Sequence, residues 1–238
     1  SERLKADLIT NVSHDNKTPL TSIINYVDLI KREHIQDPKI QSYLSVLEQK
    51  SQRLKNLTED LVEASKASSG NVKLEISHLN FTELVQQTGG EFEEKFAARR
   101  LDLVTHIPDG RLIIQADGRR LWRILENLYN NACKYAMEGS RVYVDLKEED
   151  GMAVFTIKNV SESPLNIDAS ELTERFVRGD VARTTEGSGL GLSIAKNLTL
   201  LQKGTFDIII DGDLFKALVA FPVKKPEDPQ EKQPDIPE

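Results

Sequence analysis

Apolar residues recur at helical spacing along the first quarter of the chain. Leu4, Leu8, Val12, Leu20, Ile23, Val27 and Ile30 mark one stripe and predict a helix from about Glu2 to Arg32, with Pro19 inside it. An interior proline removes a backbone hydrogen bond and bends a helix, at a cost of about 3 kcal/mol. Glu33 to Pro38 is polar and reads as a turn. Ile40, Tyr43, Leu44, Leu47, Leu54, Leu57 and Leu61 then mark one face of a second helix. Such a hairpin has an apolar side that one copy cannot cover. Two copies forming a four-helix bundle can, so the pattern predicts a homodimer.

The pattern changes after Ala64–Asn71, a small, polar stretch ending in Gly70-Asn71 that reads as a hinge. Val72, Leu74 and Ile76 alternate as a strand, and Phe81 to Arg99 is helical despite Gly89-Gly90. Leu101–Ile107 and Arg111–Ala116 read as short strands, and Asp117 caps a helix running to about Met137. Arg141–Lys147 and Met152–Lys158 form a hairpin about Asp150-Gly151. Ser161 to Gly187 lacks a regular period. Ser188–Gln202 is a helix, and Thr205–Ile210 with Leu214–Phe221 form a closing hairpin. The fold class is therefore two domains: an all-α hairpin dimerising into a four-helix bundle, then an α+β sandwich of antiparallel hairpins with three helices on one side. The expected boundaries are 1–66, 67–223 and a proline-rich, charged, disordered tail at 224–238.

Composition narrows the partners. With 238 residues, 39% hydrophobic and 29% charged, the chain has the make-up of a globular protein with a substantial core. A net charge of −7 with no basic block argues against nucleic acid. The single cysteine, Cys133, excludes an internal disulfide and suits a reducing compartment. No apolar run is long enough to span a bilayer. The chain opens with Ser1-Glu2-Arg3-Leu4 already in helical phase, so an upstream segment is expected to be missing.

Three stretches carry candidate chemistry. In Asn11–Leu20, N-V-S-H-D-N-K-T-P-L, His14 lies about 200° round the helix from Val12 and so faces away from the packing stripe. Asp15 is adjacent and Thr18 one turn on; a lone surface histidine would mean nothing by itself. Asn16 falls on the stripe, where it either costs stability unpaired or fixes the register of a bundle. In N-L-Y-N-N-A-C-K-Y, Asn127 and Asn131 are one helical turn apart, with Lys134 and Tyr135 one turn further. Amide oxygens ligate a hard cation and an ammonium balances phosphate, although the same row also suits a plain solvated face. Gly187-Ser188-Gly189-Leu190-Gly191 precedes a helix, where free N–H groups can meet an anion. It is neither a dinucleotide-binding fingerprint nor a Walker loop.

Together these resemble the cytoplasmic kinase core of bacterial two-component sensor histidine kinases, over Ser1 to Val223. N-V-S-H-D-x-K-T-P-L resembles the family's H box, N-L-Y-N-N-A-C-K-Y its N box, E-R-F-V-R-G-D (Glu174–Asp180) its F box and G-S-G-L-G-L-S-I-A its second glycine box. The resemblance implies ATP between the Asn127 helix and a lid at Ser161–Gly187. Asn131 with Asn127 would hold Mg²⁺, Lys134 and Tyr135 would face the phosphates, and Arg178 would add charge near the γ-phosphate. Gly187, Gly189, Leu190 and Gly191 would line the same site. His14 would be the nucleophile, Asp15 the acceptor of its proton, and Thr18 the residue orienting water for dephosphorylation of a response regulator. The partners implied are a second copy and a regulator's receiver domain, on the cytoplasmic side of a membrane-anchored sensor.

Two departures stand out. Where the family's first glycine box reads D-x-G-x-G, this chain has Asn159-Val160-Ser161-Glu162-Ser163, so Asn159 replaces the carboxylate expected to bind the adenine amino group. A neutral acceptor loses the charge-assisted part of that bond, roughly 1 kcal/mol. The second is Asn16, where the family usually has an apolar residue. The alternative reading is thus a catalytically lapsed scaffold or phosphatase with a degenerate nucleotide site. A gyrase- or mismatch-repair-type ATPase fits less well, because it has no use for the H-D-x-K-T-P hairpin.

Overall fold

The computed structural model describes residues 18–33, 35–70, 72–166, 168–169, 171–173 and 189–224. His14, Asp15, Asn16, Arg178, Gly187, the 174–180 motif and the chain beyond 224 lie outside these residues.

The hairpin consists of α1, helical over 18–32, and α2 (Pro38–Ser69). Asp37 caps α2, accepting from the Lys39 N–H, and Pro38 follows where the helix needs no donor. Leu20, Val27 and Leu44 are buried, and Lys31 bridges the two helices to Glu48 at 2.8 Å. Other apolar residues of the hairpin are exposed in the single chain, among them Ile23, Tyr26, Tyr43, Leu47 and Leu54, while Leu57 and Leu61 are half-buried. The small residues that read as a hinge are helical as far as Ser69, and Gly70 closes the helix. Ala64 and Ala67 are buried in the sandwich core, where α2 packs on α5. Small side chains here allow close helix approach, which composition alone does not distinguish from a linker.

The sandwich contains β1 (Ser77–Asn80), α3 (Phe81–Ala98), β2 (Asp102–His106), β3 (Ile113–Ala116), α4 (Gly118–Tyr135), β4 (Arg141–Glu149), β5 (Met152–Val160), a 3-10 turn at Glu171–Thr173, α5 (Gly191–Leu201), β6 (Thr205–Asp211) and β7 (Leu214–Pro222). The main sheet has the order β2-β4-β5-β7-β6, and β1 pairs with β3 separately. The β4–β5 hairpin turns at Asp150 and Gly151, both at positive φ (52° and 75°), as a type I′ turn requires.

Two expectations need correction. Val72–Ile76 is not a strand: the Glu75 N–H donates to the Asp117 carboxylate at 2.9 Å, and pairing begins only at Ser77, opposite Ala116. The sheet is also not wholly antiparallel, because β2 runs parallel to β4. The connection between them passes through α4, the helical crossover that a parallel pair needs. Of the expected tail, Lys224 remains tied to the sandwich, its N–H donating to the Ile113 carbonyl.

Leu121, Ile124, Leu125, Leu128, Tyr129 and Ala132 form the buried stripe of α4, and Ala153, Phe155 and Ile157 face it from β5. Phe92, Phe96 and Phe155 surround the Tyr129 ring, Phe96 stacked on it at 6.0 Å. Burial pushes the Tyr129 phenol above its usual pKa, so it stays neutral. This packing fixes the rotation of α4 and hence where its polar face points.

Candidate nucleotide site

The site is built on α4. Asp117 caps the helix, accepting from the Arg120 N–H at 3.1 Å, while its own N–H donates to Gln202 at the end of α5. Desolvation pushes the Asp117 carboxyl upward. The N–H bonds from Glu75, Arg120 and Arg119, with the Arg120 charge, outweigh it and hold the group below the usual carboxylate range.

Further along the helix, the Asn127 amide nitrogen donates to the Arg123 carbonyl one turn back at 2.9 Å, which leaves Oδ1 as its free end. That oxygen lies against the start of α5: a Cβ on Gly191 would sit 3.0 Å from it. Gly191 is therefore needed for close approach, and Gly189 holds a left-handed φ of 71°. Leu190, between them, is buried and its carbonyl accepts from the Ser193 hydroxyl and the Ile194 N–H. The N box and the second glycine box are thus brought together by direct packing. Asn131 is half-buried and its side chain makes no hydrogen bond among the described residues.

At the end of α4, the Lys134 ammonium donates to the Tyr135 hydroxyl at 2.8 Å and lies 4.5 Å from its ring centroid. The backbone there joins the end of β5. Ala136 bridges to Ser161, and the Met137 N–H donates to the Val160 carbonyl. Asn159 continues the buried stripe of β5 at 3% exposure, paired in the sheet with Val142 and Phe215. Its amide nitrogen donates to the Val160 carbonyl at 3.2 Å, and its Oδ1 is a buried acceptor with no partner among the described residues. A buried acceptor left unsatisfied costs about 1–3 kcal/mol, so this is a place where a ligand donor would gain. Of the expected lid, Leu165, Ala169 and Leu172 pack on the core, and the Lys196 ammonium donates to the Thr173 hydroxyl.

Thr18 is exposed at the first described turn of α1. No described contact joins it to the α4 site. Two arginines were not foreseen from the sequence. Arg123 binds Asp60 at 2.6 Å and Glu63 at 2.8 Å on α2, and Glu126 at 2.6 Å on its own helix; Arg120 also reaches Glu63. Arg99 reaches the last carbonyls of α4, donating to Lys134 O at 3.0 Å and Ala136 O at 3.2 Å, and pairs with Glu162 at 3.0 Å. Neither Arg123 nor Arg99 lies in a motif, and apart from the i,i+3 pair of Arg123 with Glu126 their partners are far off in sequence, leaving no local spacing to detect.

Residues 4–70 match the His Kinase A (phospho-acceptor) domain, and residues 116–231 match the histidine kinase-, DNA gyrase B- and HSP90-like ATPase. The sensor histidine kinase WalK of Bacillus subtilis is 27% identical over 205 residues, covering 84% of this chain and 33% of that protein. The sensor histidine kinase RppB of Synechocystis is 28% identical over 201 residues, covering 83% and 44%. The chain thus spans a third to under half of these relatives. In fold it resembles full-length ShkA, solved in complex with AMPPNP, with a TM-score of 0.79, 21% identity and coverage of 94% of this chain and 47% of that one. It also resembles the Acinetobacter baumannii histidine kinase AdeS, with a TM-score of 0.61, 18% identity and coverage of 89% and 98%.

A phospho-acceptor hairpin followed by an ATPase sandwich defines an ATP-dependent protein kinase core. The chain belongs to the histidine kinases, whose phospho-acceptor and ATPase domains it carries.

Proposed function

We propose that this core phosphorylates His14 from ATP and passes the phosphoryl group to an aspartate of a response regulator. One ring nitrogen of neutral His14 attacks the γ-phosphorus, the bond to the β,γ-bridging oxygen breaks, and ADP leaves. The proton on the other ring nitrogen passes to Asp15, which raises the nucleophilicity of the ring. The product phosphoramidate is reactive enough to give its phosphoryl group to a carboxylate. Thr18 orients water when the same hairpin removes phosphate from the regulator. Lys134, Tyr135 and Arg178 face the phosphates, where positioning and charge do most of the work.

Mg²⁺ fits the donors present. Asn127 offers Oδ1 with its nitrogen already engaged, and the Asn131 side chain is free of other bonds among the described residues. Neutral amide oxygens suit a hard cation that shares its shell with phosphate and water, and when bound it would offset phosphate charge. The exposed apolar row of Ile23, Tyr43, Leu47 and Leu54 supports a homodimer. The domains are taken as 1–66 and 67–223, the piece being the cytoplasmic part of a membrane-anchored sensor. No helix among the described residues is long and apolar enough to cross a membrane.

The observation that carries this reading is the Oδ1 of Asn159, buried and without a partner among the described residues. It weighs against a lapsed site, since an acceptor is kept where the adenine amino group would donate. Calorimetric titration with ATP and with inosine triphosphate, which has a carbonyl in place of that amino group, tests it. ATP is expected to bind at least about tenfold more tightly, the scale set by one lost buried hydrogen bond. Equal affinities would remove Asn159 from the site, and no binding of either would favour the scaffold reading.

A further inference from the structure

We infer that Arg99, outside every motif of the site, is a positioning residue for the phosphate-facing side chains Lys134 and Tyr135. The inference rests on the reading that those two side chains meet the ATP phosphates. The last carbonyls of a helix have no partner within it and need one from elsewhere. At the end of α4, three consecutive carbonyls find theirs across the fold. Those of Lys134 and Ala136 accept from the two terminal nitrogens of Arg99, and that of Tyr135 accepts from the Glu162 N–H at 2.9 Å. The same Arg99 nitrogen that reaches Ala136 is also 3.0 Å from the Glu162 carboxylate. Arg99, the end of α4 and Glu162 therefore close a ring of hydrogen bonds at the root of the segment beginning at Ser161.

The ring acts on the nucleotide site through geometry. Each residue advances a helix by about 100°, so loss of the last turn would swing the Lys134 ammonium well away from its present direction. The cation at the helix C-terminus also favours the macrodipole. Only a planar fork can reach two carbonyls and a carboxylate together; a lysine supplies the charge but not the fork. Asn159 is held separately by sheet pairing, and the Met137–Val160 hydrogen bond does not involve Arg99. Arg99 should therefore matter to phosphate recognition and not to adenine recognition.

Titration calorimetry of Mg-ATP and of adenosine against the wild type, Arg99→Ala, Arg99→Lys and Glu162→Gln separates these effects. In Arg99→Ala, ATP is expected to bind about tenfold more weakly while adenosine stays within about twofold. Arg99→Lys and Glu162→Gln should fall between Arg99→Ala and the wild type for ATP. Equal weakening of ATP and adenosine, or unchanged ATP affinity, would overturn the inference alone. A wild type that binds ATP no better than adenosine would instead remove the phosphate reading of Lys134 and Tyr135, and the inference with it. If circular dichroism shows Arg99→Ala unfolded, the lysine and glutamine variants decide by the same ATP-to-adenosine comparison.

Discussion

Asn159 stands at the main departure of the candidate nucleotide site from the pattern its sequence resembles, and its environment decides what that departure does. The side chain is buried between Val142 and Phe215 in the sheet, so water cannot easily compensate its free acceptor. Asn159→Asp should tighten ATP severalfold by restoring a charge-assisted bond, and Asn159→Ala should weaken it about tenfold. Both are read as dissociation constants by calorimetry, and an alanine variant that binds normally would show that the acceptor is idle. The substitution itself was legible in the sequence. Its burial and its missing partner were not, because they depend on strands β4 and β7, far off in sequence. Gly191 was legible as a glycine at a helix start that could admit an anion, whereas its closeness to Asn127 Oδ1 required the packing of α5 on α4.

At the scale of elements, α4 was the most readable part of the chain. Its apolar stripe, its Asp117 cap and its polar face all agree with one helix, which ends within two residues of where the pattern predicted. The segment before β1 was misread for a specific reason. Alternation at Val72, Leu74 and Ile76 suggested a strand, but the Glu75 N–H is claimed by the Asp117 carboxylate. Asp117 thus joins the entry to the sandwich, the start of α4 and the end of α5. Its folded pKa lies below the usual value, so its stabilisation is present above an unfolded pKa of about 4 and is lost as pH falls through the folded value. Asp117→Asn should lower stability by about 1 kcal/mol at pH 7, with the gap to wild type closing below about pH 4. Thermal melts across pH 2–8 measure this, and a gap that persists unchanged at low pH would rule out the carboxylate charge as the cause.

For the whole molecule, the junction of hairpin and sandwich was the part least legible from sequence. Ala64–Asn71 has the composition of a linker, yet α2 continues as far as Ser69 and buries Ala64 and Ala67 against the sandwich. Arg123 fastens that contact through Asp60 and Glu63, and burial of the guanidinium is outweighed by its hydrogen bonds to Glu126 and Glu63, which keep it charged. Its carbonyl also holds Asn127, so the junction and the nucleotide site share one residue. Arg123→Ala removes the cation shared by Asp60, Glu63 and Glu126 and should cost about 2–3 kcal/mol in urea unfolding; a change below about 0.5 kcal/mol would make the cluster a passive one. The central claim, phosphate from ATP onto one imidazole, is tested most directly by incubating the protein with γ-labelled ATP and Mg²⁺. The account predicts acid-labile, alkali-stable label on the wild type and none on His14→Ala. Label that survives in the variant, or that proves acid-stable, would contradict it.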